Sequence, residues 1–122
     1  MKTIIAGSRG LTDVRLVYHA VEQSGWDISE VVSGGAKGID KAGEIWADNS
    51  GIPKKIFKAE WDRYGKSAGH RRNMEMAEYI APFCGGLLAI WDGKSRGTKD
   101  MIEIASQMQL PIFILKVSYS NK

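Results

Sequence analysis

The chain reads as an α/β fold: a three-layer, open parallel sheet of about five strands in the order 3-2-1-4-5, with helices on both faces. Three features of the sequence predict this. Five short apolar runs are continuous rather than alternating, which is how strands buried on both faces read. Stretches of helical periodicity separate the runs, and βα alternation of this kind builds parallel sheets through right-handed crossovers. Nine of the fourteen glycines gather beside the runs, at 7 and 10, at 34, 35 and 38, at 85 and 86, and at 93 and 97.

The predicted strands are Thr3–Ala6, Glu30–Ser33, Lys55–Phe57, Leu87–Trp91 and Pro111–Leu115, each mostly β-branched, aliphatic or aromatic. Val14, Val17, Tyr18 and Val21 share one helical face, and Gly25 follows as a stop. Ile39, Ala42, Gly43 and Trp46 repeat that spacing, ended by Gly51 and Pro53. Asn73, Met74, Ala77 and Ile80 mark a weaker helix over Ser67–Tyr79. Thr98, Met101, Ile102, Ala105 and Met108 mark a strong one, with Pro111 beyond it. The segment Lys58–Lys66, with Trp61 and Tyr64, is a longer connection suited to a lid or an interface.

The 122 residues are expected to form a single domain over 1–122, since a second independent core would not fit. No apolar run approaches the roughly 20 residues a bilayer span needs, and the apolar stretch after Met1 is too short for a signal peptide. The expectation is a cytoplasmic protein that leaves membranes alone. One cysteine, Cys84, excludes an internal disulfide framework, and two histidines, His19 and His70, argue against a metal cluster. No metal and no required cofactor is expected. Lys and Arg total 17 against 14 Asp and Glu, a net charge of +3. That mild, dispersed excess suits a phosphorylated small molecule better than a nucleic acid, which calls for a clustered basic face. Trp46 and Trp91 fit buried positions, whereas Trp26 and Trp61 lie in connections, free for an interface or a ligand; a homodimer or larger homo-oligomer is expected. Cys84 is expected to fill a small apolar space, and neither histidine shows a partner for acid–base work.

In a sheet of this order, ligands sit outside the carboxyl ends of the strands, where the topology reverses between the first and fourth. Three loops leave strand ends near that point. Gly7-Ser8-Arg9-Gly10 combines a tight turn, a hydroxyl and a guanidinium fork suited to phosphate or carboxylate; it fits an ordinary strand-to-helix turn as well. Ser33-Gly34-Gly35-Ala36-Lys37-Gly38-Ile39-Asp40 places small residues at a helix entry, where free amides and the helix dipole favour a phosphate or ribose oxygen. Asp40 there either complements the dipole or binds a sugar hydroxyl. Asp92-Gly93-Lys94-Ser95-Arg96-Gly97-Thr98 opens the last helix, with Thr98 as an anion ligand or a simple cap. Gly65-Lys66-Ser67 and Gly93-Lys94-Ser95 imitate the end of a Walker A loop, but Glu60 and Leu88 stand where its first glycine belongs. In the entry to the third helix, Arg72 and Asn73 are poor core residues and are expected to face solvent or a ligand, with Arg72 and Met76 on one side.

Together, Gly7-Ser8-Arg9, Val32 to Asp40, Ala68-Gly69 with Arg72, Asn73 and Met76, and Asp92 to Thr98 resemble the SLOG superfamily. That superfamily takes its name from the DNA-processing (Smf/DprA) proteins and the LOG cytokinin-activating enzymes. The small YspA/YpsA-related branch is the nearest in pattern, and the resemblance runs from Ile4 to Ile114. It implies a Rossmann-like nucleotide-binding domain. The DNA-processing branch implies single-stranded DNA binding; the LOG branch implies hydrolysis of the N-glycosidic bond of nucleoside 5′-monophosphates. Other branches bind nucleotide-derived signals such as ADP-ribose-like molecules. For a LOG-like reaction, Gly97-Thr98 matches the catalytic loop, Arg72 with Met76 matches the arginine segment, and Asp100 stands at the glutamate's place; the usual Pro-Gly-Gly before that loop is absent.

The expected function is therefore binding of a nucleotide or ADP-ribose-like ligand, as sensor, carrier or sequestering protein. The expected ligand-binding residues are Gly7, Ser8, Arg9, Ser33, Gly34, Gly35, Ala36, Gly38, Asp40, Arg72, Asn73, Asp92, Gly93, Ser95, Gly97 and Thr98, with Trp61 or Tyr64 stacking on a base. The alternative is a phosphoribohydrolase using Arg72 and Asp100, with Glu103 one turn on. Single-stranded DNA binding ranks third.

Overall fold

The computed structural model describes residues 1–118. Residues 119–122 of the expected domain, including Lys122, lie outside the described residues. Five strands form one sheet: β1 (Lys2–Gly7), β2 (Glu30–Ser33), β3 (Lys54–Ile56), β4 (Gly86–Trp91) and β5 (Ile112–Lys116). Their order is β3-β2-β1-β4-β5, and every pairing is parallel. The central pair sets the register, with Ile4 opposite Leu87 and Ala6 opposite Ala89.

Consecutive residues of a strand face opposite ways, so each apolar run feeds two cores. Ile5, Val31, Leu88 and Ile90 pack under α1 (Val14–Ser24) and α2 (Ile39–Asn49), against Val17, Ala42 and Trp46. Ile4, Val32, Leu87 and Ala89 pack on the other face, against Met76 and Ile80 of α4 (Ala68–Ile80) and Met101 and Ile104 of α5 (Arg96–Gln107). Burying each large aliphatic side chain in this way stabilises the fold by roughly 1.5–3 kcal/mol. Gly25 ends α1 in a left-handed conformation, φ 68°, as its sequence position predicts. No helix among the described residues is long and apolar enough to cross a membrane.

Several expectations are corrected. Tyr18 is exposed rather than in the α1 core face, although its ring meets Trp46 edge-on. Trp26 is half-buried and packs edge-on against Phe113 at the margin of the core, so its ring is not free. Cys84 is exposed, in a left-handed turn (φ 55°) just before β4, and fills no apolar space. The connection after β3 is structured: a single turn, α3 (Trp61–Tyr64), runs into a 3-10 turn at Gly65–Ser67.

Candidate functional site

The glycine loops at the ends of β1, β2 and β4 meet because the chain welds them together. At the end of β1 the Ser8 amide donates to Ile90 O (3.1 Å), and the Ser8 hydroxyl accepts from the Asp92 amide (3.0 Å). The Ile39 amide donates to Ser8 O (3.3 Å), which draws the second loop onto the first. Gly38 sits at that seam with φ 79°, and a Cβ there would lie 2.4 Å from Ser8 O. A Cβ on Gly7 would lie 2.1 Å from Ile90 O. Both glycines are required by backbone approach.

The third loop is built by its own polar groups. Asp92 Oδ1 accepts from the amides of Lys94 (2.8 Å) and Ser95 (3.0 Å), and Gly93 turns the chain at φ 85°. Ser95, not Thr98, is the cap of α5; its hydroxyl accepts from the Thr98 amide and lies 3.1 Å from the Thr98 hydroxyl. The Lys99 amide closes onto Ser95 O. The amides of Arg96 and Gly97 come before that bond, at the positive end of the helix dipole.

Between these loops and α4 lies a cavity of about 260 Å³. Ala6, Gly7 and Arg9 line it from the first loop, Ala36 and Asp40 from the second, and Ser95, Arg96, Gly97 and Thr98 from the third; Arg72, Asn73, Met76 and Met101 complete it. A second chamber of about 450 Å³ shares Arg9, Ala36 and Arg72 with it and runs over Gly34, Gly35, Lys37, Lys41, Lys58, Ala59 and Trp61.

Arg72 stands on the shared wall, and its orientation is held by a chain of bonds. Its Nη1 donates to Gly34 O (2.6 Å) and its Nε to Asn73 Oδ1 (3.0 Å). Asn73 Nδ2 donates to Asp100 Oδ2 (2.9 Å) and Gly97 O (3.3 Å), and Asp100 Oδ1 pairs with His70 Nδ1 at 2.8 Å. Burial lowers the Arg72 pKa, with Asp40 and Asp100 pulling the other way. Asp40 is buried, and burial pushes its pKa up to about 6; the Ala36 amide that it accepts (3.1 Å) and the charges of Arg72 and Arg9 oppose this, while Glu44 adds to it. Among the described residues no group of three or more His, Cys, Asp or Glu side chains is placed to hold a metal.

Of the expected ligand-binding residues, Gly7, Arg9, Gly34, Gly35, Ala36, Asp40, Arg72, Asn73, Ser95, Gly97 and Thr98 line one chamber or the other. Ser8, Ser33, Gly38, Asp92 and Gly93 do not. Ser8 and Ser33 are fully buried, and Ser33 bonds Glu44 Oε2 (2.7 Å) and the Gly35 amide instead of a ligand. Asn73 is buried and bonded within the protein rather than turned to solvent. Asp100 and Glu103 line neither chamber; Asp100 stands behind Asn73 with both oxygens engaged. The carboxylate in the cavity is Asp40. His70 has a partner after all. Arg96 and Lys37, which belong to two of the predicted loops, and Lys41 and Lys58 join the walls in addition to the expected ligand-binding residues. Lys58 was marked only by its place beyond the carboxyl end of β3, and Lys41 only by following Asp40.

Parallel strands, loops welded at the carboxyl rim and a cationic cleft there define a Rossmann-like domain of the nucleotide-related kind. The chain belongs to the YspA, cpYpsA-related SLOG family, whose pattern matches residues 1–64. It is 31% identical to the Gene 61 protein of Mycobacterium phage D29, over 91% of this chain and 93% of that protein. Its fold is similar to the X-ray structure of DNA processing protein A from Streptococcus pneumoniae, with a TM-score of 0.72 and 20% identity over 98% of this chain. The chain spans about half (52%) of that structure.

Proposed function

We propose that the protein binds a nucleotide or a nucleotide-derived, ADP-ribose-like ligand at this rim, as a sensor, carrier or sequestering protein. The observation that carries the reading is the convergence of three loops and three arginines, Arg9, Arg72 and Arg96, on one cavity. A phosphate fits against the first amides of α5, within reach of the Ser95 and Thr98 hydroxyls. Asp40 suits a sugar hydroxyl, and exposed Trp61 offers a ring face for a base. Native mass spectrometry of gently purified protein, followed by calorimetry with AMP and ADP-ribose, tests this. A co-purified nucleotide or saturable binding supports it; no ligand and no heat from either compound ends it. The same reading includes a cytoplasmic setting and a homo-oligomer, the latter tested by light scattering.

One observation favours a second reading, N-glycosidic hydrolysis. Asp40 faces the cavity with a pKa near that of a working acid. It would protonate the departing base as the glycosidic bond breaks; water adds to the ribosyl carbon and returns a proton to Asp40. Free adenine released from AMP, and lost in Asp40→Asn, is the expected result. A nucleotide panel left intact removes hydrolysis and leaves binding. Single-stranded DNA ranks last, and an unshifted oligonucleotide at low salt removes it.

A further inference from the structure

We propose that the second chamber is an anion site in its own right, so that the cleft takes a ligand with two anionic groups rather than one. This rests on the reading of the first chamber as a phosphate site and extends it. Five cations, Arg9, Lys37, Lys41, Lys58 and Arg72, line the second chamber, and no carboxylate does. The first chamber sets three arginines against Asp40. Among the described residues only Lys41 of the five has an acid within ion-pair distance, Glu44 at 3.6 Å. Arg72 spends its hydrogen bonds on neutral oxygens, the Gly34 carbonyl and the Asn73 amide. Like charges gathered around one hollow repel one another; all but Arg72 are exposed, so solvent and salt screen part of that repulsion, and an anion entering the hollow relieves the rest.

The two chambers would hold anions by different means. In the first, backbone amides at the start of α5 are available. In the second, the Gly35 amide is committed to Ser33 Oγ and the Ala36 amide to Asp40 Oδ2. Recognition there falls to side-chain cations: three lysines acting as flexible point charges, and the planar forks of Arg9 and Arg72. Trp61, 52% exposed on the same wall, accepts a ring beside that charge. The ligand class that satisfies both chambers is a nucleotide phosphorylated at two positions or carrying an extended polyphosphate; a 5′-monophosphate fills only the first.

The test is a titration of the full ¹⁵N-labelled chain with inorganic pyrophosphate at low salt. Amides of Arg96–Lys99 report the first chamber; amides of Gly35–Lys37 and the Trp61 indole report the second. Both sets should shift and saturate. In the double variant Lys37→Ala/Lys58→Ala, both exposed positions, half-saturation of the second set should rise about fivefold or more, and that of the first should stay within about twofold. Shifts confined to the first set, or a second set indifferent to the variant, overturn the proposal and leave the nucleotide reading standing. Shifts confined to the second set keep an anion site there but overturn the phosphate site at α5, and with it the ligand of two anionic groups. Silence in both sets overturns both.

Discussion

The first two loops and the third loop are made of similar residues and do opposite things. Around Gly7 and Gly38 there is no room: backbone oxygens of Ile90, Ser8 and Arg9 occupy the space a side chain would need. Around Gly97 nothing lies within 4 Å of the place a Cβ would take. The hydroxyls divide the same way. Ser8 and Ser33 are turned inward and line neither chamber, whereas Ser95 and Thr98, although bonded to each other, line the cavity. Small residues at a sheet rim thus serve two ends. Some let loops weld into a frame, and others keep a surface open to a guest.

Breaking the frame should have the largest effect. Gly7→Ala and Gly38→Ala each drive a Cβ into backbone, and Gly38 adds a left-handed φ of 79°. Each should cost about 3 kcal/mol or more, or prevent folding, in urea denaturation. A loss under about 1 kcal/mol would show that the loops are not welded as described.

Asp40 sharpens the comparison, because it belongs to the frame and faces the cavity. Its folded pKa of about 6 lies above the ordinary 3.8, so ionisation is harder in the folded state. The associated stability is fully present below about pH 4 and lost as pH rises through 6. Asp40→Asn removes that loss. It should stabilise the fold by about 1–3 kcal/mol at pH 7 and by almost nothing at pH 4. Equal effects at both pH values would mean that the carboxylate is not held against its charge.

The fold was legible because its signals are local and redundant. Continuous runs such as Leu87–Trp91 declare strands buried on both faces, and Gly25 declares a helix end. The loops were legible as a set for the same reason. The direction of individual side chains was not. Ser8 and Ser95 look alike in sequence, and only the register of β1 against β4 decides which one meets the Asp92 amide. The pairs His70–Asp100 and Asn73–Asp100 join residues 30 and 27 apart, a separation at which periodicity is silent. Asp100 therefore read as a carboxylate for the cavity when it is a support behind it.

That support yields the next prediction. Asp100→Ala leaves Asn73 Nδ2 only its longer bond to Gly97 O (3.3 Å) and so loosens the amide that holds Arg72 Nε. The pair is partly exposed, so stability should fall by only about 1 kcal/mol. Affinity for AMP or ADP-ribose should nevertheless fall about fivefold, because an unfixed Arg72 pays more entropy on binding. The Asn73 side-chain amide resonances should move in the same variant. Unmoved resonances would leave Arg72 positioned by Gly34 alone.

The smallest effect on stability belongs to Gly97, and it separates the two kinds of glycine most cleanly. A Cβ there has open space within 4 Å beyond its own helix, and valine sits in the first turn of α5 in place of a residue with poor helix propensity. Its unfolding free energy should stay within about 0.5 kcal/mol of the native chain. Its branched side chain nevertheless stands in front of the amides that a phosphate would reach. Binding of AMP or ADP-ribose should be abolished in a protein that is otherwise as stable as before. Retained affinity in Gly97→Val would place the phosphate elsewhere and undo the division between frame and open rim; lost affinity together with lost stability would show that Gly97 belongs to the frame after all.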